Sequence, residues 1–203
     1  MPAWKALGPP GDPAFRTLVL GPDSAVYAGY YAGIYRLSRS GAWEQYPLYG
    51  PDESPRDVIA LAVDAAGTFY AGSYWDAFRA PAGPQAWAPM ALIPHGDEGV
   101  QAFLPAPGGV VYAGTRYSGV RISTDHGVTW APRVDGLSGL EDMRALALDA
   151  HGRLYAGTFG SGVFRYDDGA GRWVEANDGL QHRRVVALAF DAAGNAYAAT
   201  SGG

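Results

Sequence analysis

At 203 residues with 48% hydrophobic side chains, the chain is long enough to bury a real core as one domain. Its net charge of −5, with scattered basic residues that form no run, excludes the clustered positive surface a nucleic-acid backbone requires. The 13 tyrosines and 6 tryptophans exclude a disordered chain, the lack of cysteine excludes disulfides, and no stretch nears the roughly 20 apolar residues of a membrane span.

Taken in chain order, the sequence repeats itself. Met1-Pro2-Ala3-Trp4 lacks the charged start and apolar run of a signal peptide, and Trp4 reads as an outer-strand tryptophan with no repeat before it. Tyr-Ala-Gly or a close variant then begins at Tyr27, Tyr70, Tyr112, Tyr155 and Tyr197, a period of 42 or 43 residues. A tryptophan follows each of the first four, at Trp43, Trp87, Trp130 and Trp173. Such a period, built of short strands, predicts one four-stranded blade per repeat of a β-propeller. The repeats run roughly over 13–49, 56–92, 99–135, 142–178 and 184–203, the last taken together with 1–8.

Inner strands are predicted at Thr17–Leu20, Val58–Val63, Val100–Leu104, Arg144–Asp149 and Val185–Phe190. Turns such as Asp64-Ala65-Ala66-Gly67, Asp149-Ala150-His151-Gly152 and Asp191-Ala192-Ala193-Gly194 lead into the tyrosine strands, glycine supplying a positive φ. In the fourth repeat Gly162–Tyr166 reads as the third strand and Arg172–Glu175 as the outer one, with Trp173 over the blade flank. The fifth repeat holds two strands only. The N-terminal strand can complete its outer edge, which predicts an all-β, roughly five-bladed ring whose last blade lacks one strand. Unpaired edges also allow two copies to associate there, so both a monomer and self-association through the incomplete blade are expected.

Ser123-Thr124-Asp125-His126-Gly127-Val128-Thr129-Trp130 resembles the Asp-box, or BNR repeat, of sialidases, sortilin-type receptors and Ycf48-type photosystem assembly factors. Tyr166–Trp173 is a looser copy, Ser38–Trp43 lacks the aspartate and Pro81–Trp87 has lost nearly all of it. The Gly-Leu pairs at Gly136-Leu137 and Gly179-Leu180, each followed by Val-x-Ala-Leu-Ala-like inner strands, are similar to the propeller sensors of hybrid two-component regulators. The resemblance implies a structural hairpin, so Ser123, Asp125, Gly127, Thr129 and Trp130 are expected to serve folding, with Asp125 accepting N–H bonds in its own turn. It also implies an extracytoplasmic setting.

A sialidase resemblance invites a test for glycoside hydrolysis. Arg36, Arg79 and Arg165 recur at one strand position, which reads as a repeat element over the blade flank and not as a unique substrate clamp. Glu44 and Glu175 pair with no tyrosine in the sequence. The carboxylate pairs Asp52-Glu53, Asp97-Glu98 and Glu141-Asp142 lie in loops before inner strands and read as solvated charge, although two carboxylates could in principle flank a glycosidic bond. His95, His126, His151 and His182 fall in separate repeats without metal-ligand spacing, His126 and His151 in turns that read as exposed. No nucleophile elbow or phosphate-cradling loop is present. The sequence therefore predicts a protein without catalysis, metal or cofactor.

Propellers recognise partners on one face, built from the loops joining second to third strands and those joining one blade to the next. Here the first set carries Tyr30-Tyr31, Tyr74-Trp75-Asp76, Arg116-Tyr117 and Phe159. The second set adds Tyr46 and Tyr49, then His95, Asp97 and Glu98, then Asp135, Glu141 and Asp142, and finally Asn177 to Arg184. Aromatic faces beside Asp and Arg suit a glycan or a protein or peptide ligand. Tyr30, Tyr31, Tyr74, Trp75, Asp76, Arg116, Tyr117 and Phe159 are the candidate ligand-binding residues, Trp75 first among them because it is extra to the blade tryptophans. A binding module of lectin-like or assembly-scaffold type is the expectation, a sensor propeller of a larger protein an alternative, and a degenerate glycosidase a lesser one.

Overall fold

The computed structural model describes residues 14–91, 99–138 and 142–202. Its strands fall into five separate sheets, and within each sheet every strand pairs antiparallel with the next in sequence. The first blade comprises β1 (Thr17–Leu20), β2 (Val26–Tyr30), β3 (Gly33–Leu37) and β4 (Trp43–Pro47). The second holds β5 (Ala60–Val63), β6 (Phe69–Gly72), β7 (Ala77–Ala80) and β8 (Ala88–Pro89). The third holds β9 (Val100–Pro105), β10 (Val111–Thr115), β11 (Val120–Ser123) and β12 (Ala131–Arg133). The fourth holds β13 (Met143–Leu148), β14 (Leu154–Thr158), β15 (Val163–Asp167) and β16 (Arg172–Glu175). The fifth sheet is β17 (Val185–Phe190) with β18 (Ala196–Thr200). The predicted N-terminal strand that would complete it lies outside the described residues.

Inner strands stack in order, β1 on β5, β5 on β9, β9 on β13 and β13 on β17. The Tyr-Ala-Gly strand explains the close fit. Adding a Cβ to Gly29 would place it 2.7 Å from the Val58 carbonyl oxygen of the next blade, and at Gly157 2.6 Å from Val185 Cγ1. Val58, Val100, Met143 and Val185 occupy these sockets fully buried. The tyrosine beside each glycine packs on the following blade: Tyr27 meets Phe69 at 4.7 Å, Tyr70 meets Phe103 at 5.7 Å and Tyr155 meets Phe190 at 4.6 Å.

The fifth repeat departs from this pattern. Ala199 stands where the others have glycine, and Tyr197 is 57% exposed where Tyr27 is 5%. At the other end, Leu18 and Leu20 point outward, 64% and 66% exposed. These two flanks are thus exposed where the flanks between neighbouring blades are buried.

The turn aspartates and the repeat tyrosines prove to be one device. Asp64 accepts the Ala66 and Thr68 N–H groups, both at 2.9 Å, and the Tyr70 hydroxyl at 2.9 Å. Asp23 and Asp191 repeat the arrangement with Tyr27 and Tyr197. His126, expected to be merely exposed, instead joins two blades: its Nδ1 lies 2.8 Å from Asp64 Oδ2. A left-handed backbone at His126 (φ 57°) turns the ring back toward the second blade. Burial alone would push the Asp64 carboxyl up, but hydrogen bonds from His126, Thr68 and Tyr70 outweigh it and hold the group below its ordinary value.

The Asp125 turn joins β11 to β12 as expected. Asp125 accepts the Val128 and Thr129 N–H groups at 3.0 and 2.9 Å, the Thr129 hydroxyl at 2.6 Å and the Ser123 hydroxyl at 2.7 Å. Those bonds hold its carboxyl well below the usual range. The blade tryptophans are less uniform than the repeat suggests. Trp173 is fully enclosed and donates to the Arg133 carbonyl at 2.8 Å, whereas Trp43, Trp87 and Trp130 are half-buried.

Candidate functional site

The two loop sets of the predicted face converge between the first and second blades. Tyr31 follows β2, residues 51–57 link β4 to β5, and residues 73–76 link β6 to β7; together they enclose a cleft of about 680 Å³. Its edges carry Trp75, Tyr74 and Tyr31, and its walls Asp52, Asp57 and Asp76.

Arg56 forms the floor. Its Nε binds Asp76 and its Nη2 binds Asp52 Oδ1 at 2.7 Å, while Nη1 donates to the Ser54 carbonyl at 3.2 Å and to the Ser54 hydroxyl. Burial works against the charged guanidinium, but the bonds to Asp76 and Asp52 prevail and raise its pKa further. The guanidinium lies against the backbone of Gly50, where any Cβ would collide with it. A side chain at position 50 would therefore force the Arg56 guanidinium out of this position.

Ser73 sets the loop that presents the indole. Its buried hydroxyl accepts the N–H groups of Trp75 at 3.2 Å and Asp76 at 2.8 Å and donates to the Asp76 carbonyl at 3.1 Å. Thr115 and Thr158 do the same work in the third and fourth blades. Despite this rigid support, Trp75 is 59% exposed and Tyr31 66% exposed.

Of the candidates read from the sequence, Tyr31, Tyr74, Trp75 and Asp76 meet in this cleft. Tyr30 does not. It is buried, packs on Tyr35 at 4.6 Å and binds the Gln45 side chain, because strand alternation turns it inward while Tyr31 turns out. Arg116 and Tyr117 stack on each other at 5.0 Å in the third blade. Phe159, in the fourth, lies between Arg144 at 5.0 Å and Arg184 at 5.6 Å. These three share the face but do not line the cleft. Tyr46 lies elsewhere, bonding Glu44 at 2.8 Å, near Arg36, which is paired to Asp23 at 2.6 Å. His95, Asp97, Glu98 and Glu141 lie outside the described residues.

Asp52 is exposed loop charge as the sequence reads it, and it also clamps Arg56 and caps Ser54, whose N–H it accepts at 3.2 Å. Asp142 likewise pairs with Arg144 at 2.6 Å. The sequence singles out neither Arg56 nor Asp57, and it places Ser73 in the loop without showing its structural role. The Ser/Thr/Thr recurrence at 73, 115 and 158 is a usable signal for Ser73, whereas Arg56 recurs only as Arg183, two residues before Val185, and the repeat does not mark its pairing with Asp76.

The sequence matches no protein-family model and no curated protein. Solved structures do match in shape. The extracellular domain of BT3049, assigned as a hybrid two component system of B. thetaiotaomicron, aligns over 94% of this chain and 26% of its own, at 20% identity and TM-score 0.74. Virginiamycin B lyase from Staphylococcus aureus aligns over 94% and 64%, at 13% identity and TM-score 0.76. YCF48 bound to D1 peptide aligns over 98% and 64%, at 18% identity and TM-score 0.72. The fold is a β-propeller. This chain spans between about a quarter and two thirds of the length of these propeller proteins, and at such identities the likeness concerns the fold alone.

Proposed function

We propose that this propeller is a noncatalytic binding module that takes its ligand in the cleft between the first two blades. The observation that carries this reading is the exposed Trp75 ring on a loop locked by Ser73, above a floor fixed by Arg56. A large aromatic held rigidly in water is costly to maintain for folding and well suited to stacking on a partner. A glycan and a protein or peptide both suit such a rim.

The carboxylates support binding over hydrolysis. Asp52 and Asp76 are both engaged in holding Arg56, a structural task, whereas a glycosidase needs a carboxyl free to donate its proton to the leaving group. The Asp125 turn fits the Asp-box reading and a folding role. Likeness to an extracellular domain favours an extracytoplasmic setting, and the peptide-bound YCF48 shows a propeller of this shape accepting a peptide.

The test is a glycan array and a peptide array probed side by side with the protein and a Tyr74→Ala/Trp75→Ala double variant. Hits that vanish in the variant support the reading. Hits that persist unchanged move the site elsewhere on the molecule.

A further inference from the structure

We infer that the cleft selects a cationic group, specifically a lysine or arginine side chain of a peptide, which places its charge between Trp75 and the Asp76 carboxylate. This deepens the proposed binding function and rests on the cleft being the site.

The charge count of the walls comes first. Asp52, Asp57 and Asp76 face one lining cation, Arg56. Arg56 is 9% exposed and directs its guanidinium nitrogens to Asp52, Asp76 and Ser54, so it has little left to offer an anionic ligand. Arg16 neutralises part of Asp57 from outside, at 3.2 Å. Asp76, by contrast, gives its Oδ2 to Arg56, and among the described residues no hydrogen bond reaches Oδ1. That oxygen belongs to the residue next to the exposed indole. A carboxylate and an aromatic ring lining one cleft are the pair of groups a cation prefers, through charge-assisted hydrogen bonding and cation–π attraction.

The rest of the face sharpens the choice. The loops of the third and fourth blades and the start of the fifth present Arg116, Arg144, Arg183 and Arg184. Of these, Arg116 and Arg184 have no carboxylate partner among the described residues; each stacks on an aromatic ring, Tyr117 or Phe159. A cationic side chain is repelled there and drawn to the first two blades, so a peptide carrying both charges would be held in one direction. An anionic sugar such as a sialic acid would meet the opposite field in the cleft.

The experiment follows the Trp75 indole N–H by NMR while N-acetyl-arginine amide, N-acetyl-lysine amide, acetate, galactose and N-acetylneuraminic acid are titrated in turn. Saturable shifts from the two cations are expected, weakening as salt rises from about 0.05 to about 0.5 M. Asp76→Asn should weaken them about tenfold or more, as loss of a charged hydrogen bond implies. Because Asp76 also holds Arg56, Asp57→Asn serves as a second variant and should weaken them less. Galactose or N-acetylneuraminic acid shifting Trp75 more strongly than the cations would overturn the charge inference while leaving the cleft as the site. Array ligands that bind yet leave Trp75 unmoved would overturn the cleft reading itself.

Discussion

Gly29→Ala tests the interblade packing most sharply. The added Cβ would lie 2.7 Å from the Val58 carbonyl oxygen and 2.7 Å from Thr17 Cγ2. Ordinary van der Waals contact begins near 3.4 Å, so the second blade must retreat by about 0.7 Å. Val58 cannot move alone, because its N–H donates to the Tyr30 carbonyl at 2.9 Å and its side chain is fully enclosed. Overpacking against backbone of this kind belongs at the upper end of the usual penalty, about 3 kcal/mol. For a domain of this size that lowers Tm by about 6–12 °C. Gly160→Ala is the control, since a Cβ there meets nothing within 4 Å; removing glycine entropy should leave stability unchanged or raise it by up to about 1 kcal/mol. Differential scanning calorimetry of both variants against the parent gives the comparison. Equal Tm values for the two would refute the claim that Tyr-Ala-Gly glycines exist to admit the next blade.

Trp173→Ala should cost about 3–5 kcal/mol in urea unfolding, and Trp43→Ala clearly less, since only Trp173 is fully enclosed. Asp23, Asp64 and Asp149 all have depressed folded pKa values: burial raises each, and hydrogen bonds from Arg36, His126 and the Arg153 backbone respectively lead the groups that outweigh it. Their contribution to stability is complete above about pH 5 and is lost as pH falls through the folded values, below about 4. The urea midpoint should therefore drop between about pH 5 and about pH 2.5, and an Asp64→Asn variant should show a shallower drop. Arg56→Ala leaves Asp76 unpaired and frees the 51–57 loop; hydrogen exchange at Trp75 and Asp76 should accelerate while that of β13 and β14 is unchanged.

The fold was legible because each repeat restates the same physical problem. A glycine admits the next blade, a tyrosine covers it and an aspartate closes the turn, so the period of 42 or 43 residues exposes all three at once. The exposed flank of the fifth repeat is harder to read: Ala199 for glycine is a single methyl, and its meaning depends on knowing what the glycine does. The site was half legible. Trp75 announced itself by lying outside the repeat, whereas Tyr30 was misplaced because adjacent tyrosines on a strand end face opposite ways. The role of Arg56 was invisible in sequence because its pairing with Asp76 spans two loops and its guanidinium lies against the bare backbone of Gly50.

The most direct test of the account compares Trp75→Ala with Phe159→Ala for binding of the strongest array ligand. Both rings are exposed aromatics on the same face, and only Trp75 lines the cleft. The account predicts that Trp75→Ala abolishes binding while Phe159→Ala retains it. Loss at Phe159 with Trp75 indifferent would contradict it and move the ligand to the arginine-flanked fourth blade.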